Sequence, residues 1–182
     1  MKTTTTIRLL LIIIAAGITF TACKKLKYYE FDDDDKAWIN VYSKGETFRF
    51  VSDSGDVRAY SVTSSTRGYS EEGKNYYSVA EATVRPEDTL QYQYPGGIRA
   101  LKNATGFTLE ILWCHHPAIT EIASKAPATL TLGGITYSDV YVSEVPAAVT
   151  DSVTNVQKVY YSKSAGFVQY IENTGLTWTR QN

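Results

Sequence analysis

This chain has few cysteines, no excess of basic charge and no long apolar run, and each shortage excludes a class of protein. Two cysteines in 182 residues are too few for a disulfide-rich scaffold. The longest apolar run, Leu9 to Ile18, has about ten residues and falls well short of the roughly 20 that a membrane-spanning helix needs. The formal net charge of −1 argues against a nucleic-acid-binding protein.

The apolar run near the start is typical of an export signal. Lys2 and Arg8 give a positive beginning, and small or polar residues loosen the segment before Cys23. Without Lys2 and Arg8 the remaining chain has 16 basic against 19 acidic residues, a net charge of about −3. This balance argues against a basic face that docks on membranes.

Phe20, Thr21, Ala22 and Cys23 resemble a bacterial lipobox, in which a lipoprotein is acylated on cysteine and cleaved before it. Phe20 and Thr21 depart from the usual pattern, which opens with leucine. The resemblance implies a signal peptide over 1–22, a lipidated Cys23, and a protein held by acyl chains at the outer membrane, facing either the periplasm or the cell surface. The alternative is an ordinary secreted protein in which Cys23 has no such role.

The segment after Cys23 has three lysines and then a run of acids, Asp32 to Asp35. Because like charges repel one another, we expect 23–36 to be the lipidated cysteine and a solvated charged tether. The spacing of a calcium-binding loop is missing from this run. Acids soon after the lipidated cysteine loosely resemble a surface-export signal of Bacteroidota lipoproteins.

The remaining residues, 37–182, predict a single all-β domain. Apolar residues alternate with polar ones in "TFRFVS", where Phe48 and Phe50 share a face, and in "TLEILW", where Leu109, Ile111 and Trp113 do. Short Gly-, Asn- and Pro-containing turns, such as "PGG" at 95–97, favour an antiparallel meander that forms a curved sheet, sandwich or half-barrel. Strands are predicted over 37–42, 46–52, 57–64, 75–84, 89–94, 106–113, 128–132, 135–144, 156–162, 166–171 and 175–180, with at most one short helix, at 117–124.

The last third resembles small outer-membrane lipoproteins of unknown function that are common in the Bacteroidota. The matching residues are Tyr137, Asp139, Val140, Val142, Tyr160, Tyr161, Lys163, Gly166, Phe167, Val168, Gly175 and Trp178. The resemblance implies an all-β domain and no particular chemistry. From the residues themselves, we expect Gly166 and Gly175 at chain reversals and Tyr160, Phe167 and Trp178 in the core.

The strongest candidate for chemistry is "WCHHP", in which Cys114, His115 and His116 are weak candidates for a metal site. Adjacent residues on a strand point to opposite faces, and no second Cys/His pair completes a zinc site. Sequence templates for hydrolases, phosphate loops and dinucleotide sites are missing. We therefore expect no catalytic residues and no cofactor.

Three functions remain open at the level of sequence. The first is a lipid-anchored, non-catalytic envelope protein that binds or scaffolds a protein or glycan partner, because tyrosine combines apolar area with a hydroxyl group. The second is a periplasmic carrier of a lipid or another hydrophobic ligand, which needs an apolar cavity of several hundred cubic ångströms. The third is a hydrolase with an unrecognised site.

Overall fold

A computed structural model describes residues 25–88, 96–113, 116–119, 125–144 and 156–181 of the chain. Twelve strands and one short helix lie within these ranges. They are β1 (Lys27–Tyr29), α1 (Asp33–Ile39), β2 (Thr47–Ser52), β3 (Val57–Glu72), β4 (Asn75–Pro86), β5 (Gly96–Asn103), β6 (Gly106–Trp113), β7 (His116–Ile119), β8 (Ala128–Leu132), β9 (Ile135–Glu144), β10 (Val156–Ser162), β11 (Gly166–Glu172) and β12 (Thr177–Gln181). The predicted all-β fold with at most one short helix is confirmed.

Two antiparallel meanders make up one sheet, in the order β7-β6-β5-β4-β3-β2-β12-β11-β10-β9-β8. The meanders meet where β2 pairs with β12, with Ser52 opposite Trp178 and Phe50 opposite Arg180. Strand β1 lies off this path and pairs in parallel with the beginning of β4. The sheet is curved and, over the described residues, does not close into a barrel.

The curvature brings aromatic side chains from distant strands together on the inner face. Trp113 of β6 and Phe167 of β11 have ring centroids 4.1 Å apart, although five strands separate β6 from β11 in the sheet. Phe50, Tyr60 and Tyr170 surround the same Trp113 ring at 5.1 to 5.5 Å. Aromatic side chains therefore contribute most of the buried apolar surface of the core.

The alternation read from the sequence correctly gives the inward residues of two strands. Phe48 and Phe50 of β2 are buried, and so are Leu109, Ile111 and Trp113 of β6. Phe167 and Trp178 are also buried as predicted.

The prediction that Tyr160 lies in the core is wrong. Tyr160 is half-exposed, and its neighbour Tyr161 is fully buried instead. Val159 is buried as well, so alternation along β10 holds from Val159 to Tyr161 and places Tyr160 on the opposite face.

Glycines were read correctly at two turns and incorrectly at another place. Gly166 and Gly175 have positive φ, 79° and 87°, at the predicted chain reversals. The predicted "PGG" turn is wrong at Gly96 and Gly97, which begin β5 and are buried. A Cβ on Gly96 would lie 2.3 Å from a carbon of the Trp113 ring, and one on Gly97 would lie 2.3 Å from the carbonyl oxygen of Ala82. These glycines are needed for close packing.

The helix is not where the sequence predicted it. Residues 117–119, the beginning of the predicted helix at 117–124, lie in β7, and 120–124 are outside the described residues. Residues 37–42, predicted as a strand, instead contain the end of α1. The predicted strand at 89–94 is also outside the described residues.

We predict that Gly97→Ala lowers the free energy of unfolding by about 1–3 kcal/mol, because the new methyl group meets rigid backbone at Ala82. Gly68→Ala is the matched control, since it also lies in a strand but has open space around its Cα. We expect this control to be neutral or to stabilise by less than about 1 kcal/mol. Urea unfolding of both variants measures the difference, and equal effects would contradict the packing role.

Candidate functional site

The residues singled out for function from the sequence lie mostly outside the described part of the chain. Cys23, Cys114 and His115 are outside it, and His116 is the first residue of β7, where it pairs with Trp113. Across the described ranges, no group of three or more His, Cys, Asp or Glu residues is arranged to hold a metal ion. Acylation at Cys23 and metal binding at Cys114, His115 and His116 both stay predictions.

The acidic run predicted as a solvated tether is instead the beginning of α1. Asp32 is the N-cap: its carboxylate accepts a hydrogen bond from the Asp35 N–H at 2.9 Å. The Asp35 carboxylate in turn accepts one from the Asp32 N–H at 3.1 Å, which completes a capping box. Acidic residues in the first turn are also favoured by the helix dipole.

Ion pairs fix this helix to both meanders. The Lys102 ammonium of β5 lies 2.7 Å from Asp35, which is only 5% exposed, and 3.1 Å from Asp32. Lys163, between β10 and β11, pairs with Asp34. The hydrogen bond to Asp35 raises the pKa of Lys102, and the Asp35 N–H together with Lys102 lowers the pKa of Asp32. The acids therefore act as attachment points.

The chain from α1 onward fills the concave side of the sheet. Trp38 packs against Tyr141 at 4.5 Å, and the Tyr161 hydroxyl donates a hydrogen bond to the Trp38 carbonyl at 2.9 Å. The Tyr42 hydroxyl accepts one from the Phe167 N–H at 2.7 Å. Burial raises the pKa of both Tyr42 and Tyr161. The inner face is thus covered by protein rather than open to a ligand at this place.

Two open grooves lie elsewhere on the surface. One of about 540 Å³ follows β3, β4 and β5 and is lined in part by Arg67, Glu81 and Arg99. Another of about 480 Å³ lies between β2, β12 and the turn that joins β8 to β9. Charges of both signs in the first groove suit polar contacts with a partner.

A second feature of the surface is a three-stranded projection, the tyrosine arm, formed by β1 and the ends of β3 and β4 at 69–77. Pairing of β4 with β5 begins only at Ser78, opposite Lys102. Strand β1 takes the place beside β4 that β5 leaves open, with Lys27 opposite Asn75 and Tyr29 opposite Tyr77. The hairpin that carries the arm therefore extends past the end of β5.

Tyrosines from three strands pack on one side of this arm, and we call Tyr28, Tyr69 and Tyr76 the tyrosine face. Tyr28 stacks on Tyr76 at 4.8 Å and meets the edge of Tyr69 at 5.7 Å. Tyr28 and Tyr69 are nevertheless 50% and 53% exposed. Tyr29 and Tyr77 stack at 5.5 Å on the opposite side, as strand alternation requires.

The tyrosine face is not predicted from the sequence, although a signal for it exists. Tyr-Tyr pairs occur at 28–29, 76–77 and 160–161, and the structure pairs the first two in register. The contact between the pairs at 28–29 and 76–77 depends on the parallel pairing of β1 with β4. The sequence does not predict this pairing, because residues 23–36 are expected to be a tether. No helix among the described residues is long and apolar enough to span a membrane.

We predict that Asp35→Asn lowers the free energy of unfolding by about 1–3 kcal/mol, because it removes a charge-assisted hydrogen bond from a buried site. Asp33→Asn is the control: the Asp33 side chain is fully exposed, so we expect a change within about 0.5 kcal/mol. Urea unfolding at neutral pH compares them. A large effect of both variants, or of neither, would contradict the attachment through Lys102.

Burial of Tyr42 and Tyr161 predicts a loss of stability in alkali. Because their folded-state pKa lies above the unfolded value of about 10, their contribution is fully present below pH 10 and decreases as the pH rises above it. We expect Tyr161→Phe to reduce the difference in unfolding free energy between pH 8 and pH 11. Urea unfolding at the two pH values measures this, and an unchanged difference would contradict it.

Comparison of the chain with known families, with curated proteins and with solved structures finds no match. The resemblance of the last third to small Bacteroidota lipoproteins therefore stays a prediction.

Proposed function

We propose that this chain is a lipid-anchored, non-catalytic protein of the cell envelope, acylated on Cys23, that binds or scaffolds a partner at the outer membrane. The observation that carries the proposal is the lipobox-like stretch Phe20 to Cys23, which comes directly before a folded domain. Only three residues separate Cys23 from Lys27, the first residue of β1. An anchor at Cys23 would thus hold the domain close to the bilayer.

The energetics of acylation support a stable attachment. Each buried methylene group of an acyl chain contributes about 0.8 kcal/mol, and a single chain gives only reversible binding. A lipoprotein cysteine carries two chains on its sulfur, usually with a third on the amino group. Such an anchor needs no help from a spanning helix or from a basic surface.

The packing of the domain favours a binding or scaffolding role over that of a hydrophobic carrier. A carrier needs an apolar cavity that accommodates its ligand. In the described residues, the concave side of the sheet is occupied by Trp38, Tyr42 and the aromatic core around Trp113. The volumes that remain are open surface grooves, which suit contact with another macromolecule.

We predict that Cys23→Ser abolishes incorporation of labelled palmitate and moves the protein from the membrane fraction to the soluble fraction, because serine lacks the thiol that is acylated. Cys114→Ser is the matched control and should keep both the label and the membrane association. Fractionation and labelling in a bacterial host that acylates lipoproteins provide the measurement. A Cys23→Ser protein that still sediments with membranes would overturn the proposed anchor.

A further inference from the structure

We infer that the tyrosine face of Tyr28, Tyr69 and Tyr76 rests in the headgroup region of the bilayer that holds the anchor, so that the domain has a fixed orientation on the membrane. This inference rests on the proposed acylation of Cys23. It adds a second contact with the membrane, made by the folded domain itself.

The direction of β1 brings the tip of the arm toward the anchor. Because β1 is parallel to β4, the residues before Lys27 continue in the same direction as those before Asn75, which form the turn at the tip of the arm. The Lys27 N–H donates a hydrogen bond to the Lys74 carbonyl at 3.0 Å, which fixes the chain beside that turn. The described chain therefore enters the domain at the tip of the arm and not beside the body of the sheet, and Cys23 precedes Lys27 by only four positions in the sequence.

The length of the connection limits how far the arm can stand from the bilayer. Four residue steps from Cys23 to Lys27 span at most about 14 Å when fully extended. The acyl chains place Cys23 at the membrane surface. Tyr28 follows Lys27 directly, so its Cα stands no more than about 18 Å from Cys23, a distance at which the tyrosine face can reach the headgroups.

The chemistry of the face suits this position. Tyrosine is enriched at membrane interfaces because its ring is apolar and its hydroxyl is hydrated. Tyr28 and Tyr69 are half-exposed, and Leu26 is 51% exposed next to them. Stacking of Tyr28 on Tyr76 orders the rings before any contact with lipid, so little side-chain entropy is lost on docking.

Charge does not direct this contact to anionic lipid. Along the chain, four lysines and three glutamates lie in or next to the arm, a net charge of only about +1: Lys24, Lys25, Lys27 and Lys74, and Glu30, Glu71 and Glu72. The Glu30 carboxylate accepts a hydrogen bond from the Tyr69 hydroxyl at 3.3 Å, and so belongs to the face. We therefore expect docking on zwitterionic lipid, with little dependence on salt.

Radical footprinting of the acylated full-length product tests the inference. The protein is purified after export and processing and is reconstituted in phosphatidylcholine vesicles. The rates of tyrosine oxidation are then compared by mass spectrometry with those of Cys23→Ser protein in buffer. We expect Tyr28, Tyr69 and Tyr76 to react at least about threefold more slowly on vesicles, because headgroups cover them. Tyr137 and Tyr160, which are partly exposed on β9 and β10, serve as internal controls and should keep their rates.

A second measurement uses the Cys23→Ser protein alone, with and without Tyr28→Ser and Tyr69→Ser. Both tyrosines are half-exposed, so the domain should fold with these substitutions, which circular dichroism checks. We expect the double substitution to weaken vesicle binding several-fold, by roughly the interfacial contribution of two aromatic rings. Tyr137→Ser is the control and should leave vesicle binding unchanged.

The outcomes separate the anchor from the docking surface. Equal reactivity of the tyrosine face on vesicles and in buffer overturns the docking while leaving the anchor intact. Protection in whole cells without protection on vesicles overturns it too, and assigns the face to an envelope protein. If Cys23→Ser protein still binds vesicles as well as wild type, the anchor is wrong. The oxidation rates of Tyr28, Tyr69 and Tyr76 in the vesicle-bound protein then still show whether the tyrosine face contacts the membrane. A wild-type chain that does not bind vesicles overturns both.

Discussion

Packing of aromatic rings across the concave side is the constraint on which the rest of this structure depends. A flat sheet could not bring Trp113 within 4.1 Å of Phe167, so contact between these rings requires the curvature. The glycines at 96 and 97 allow the same approach, because any side chain there would collide with the Trp113 ring or with the neighbouring backbone. The curvature of the sheet, the positions of these glycines and the aromatic content of the core therefore depend on one another.

The seam between the two meanders is closed by a charged group that packs against this aromatic core. Arg58 of β3 lies over the Trp178 ring at 3.8 Å and donates hydrogen bonds to Glu172 and to the Tyr170 hydroxyl. A planar guanidinium can stack and pair at the same time, which a lysine could not do. Arg58 thus connects β3 of the first meander with β11 and β12 of the second. Without this contact, the pairing of β2 with β12 would be the link between the two meanders at this place.

The sequence predicted the fold class because period-two alternation is strong wherever one face of a strand is buried. Phe48 and Phe50, and Leu109, Ile111 and Trp113, follow this rule without exception. At Tyr160 and Tyr161 the rule holds, but the sequence does not show which of two adjacent tyrosines faces inward, and Tyr161 is the buried one, together with Val159. The prediction of a turn fails at Gly96 and Gly97, since a glycine pair suits a turn and a close approach of strands equally well.

The candidate surface was harder to predict because its parts are distant in sequence. Asp32 to Asp35 were expected to repel one another in water, but Asp32 and Asp35 cap a helix and pair with Lys102, some 70 residues later. Similarly, the tyrosine face needs β1, β3 and β4 together. Cys23, by contrast, was identified from a local pattern alone, which is why the proposed anchor did not require the structure.

The pairing of β2 with β12 has a consequence for how the molecule acquires its shape. Ser52 and Trp178 are direct neighbours at the middle of the sheet, although 125 residues lie between them along the polypeptide. Each meander can assemble from adjacent hairpins, but the central junction requires closure of a very long loop, which slows the search for the native state. If the chain is exported in unfolded form, as the proposed anchor implies, this junction can form only after nearly all of the chain has crossed the membrane, so its two halves meet only on the far side.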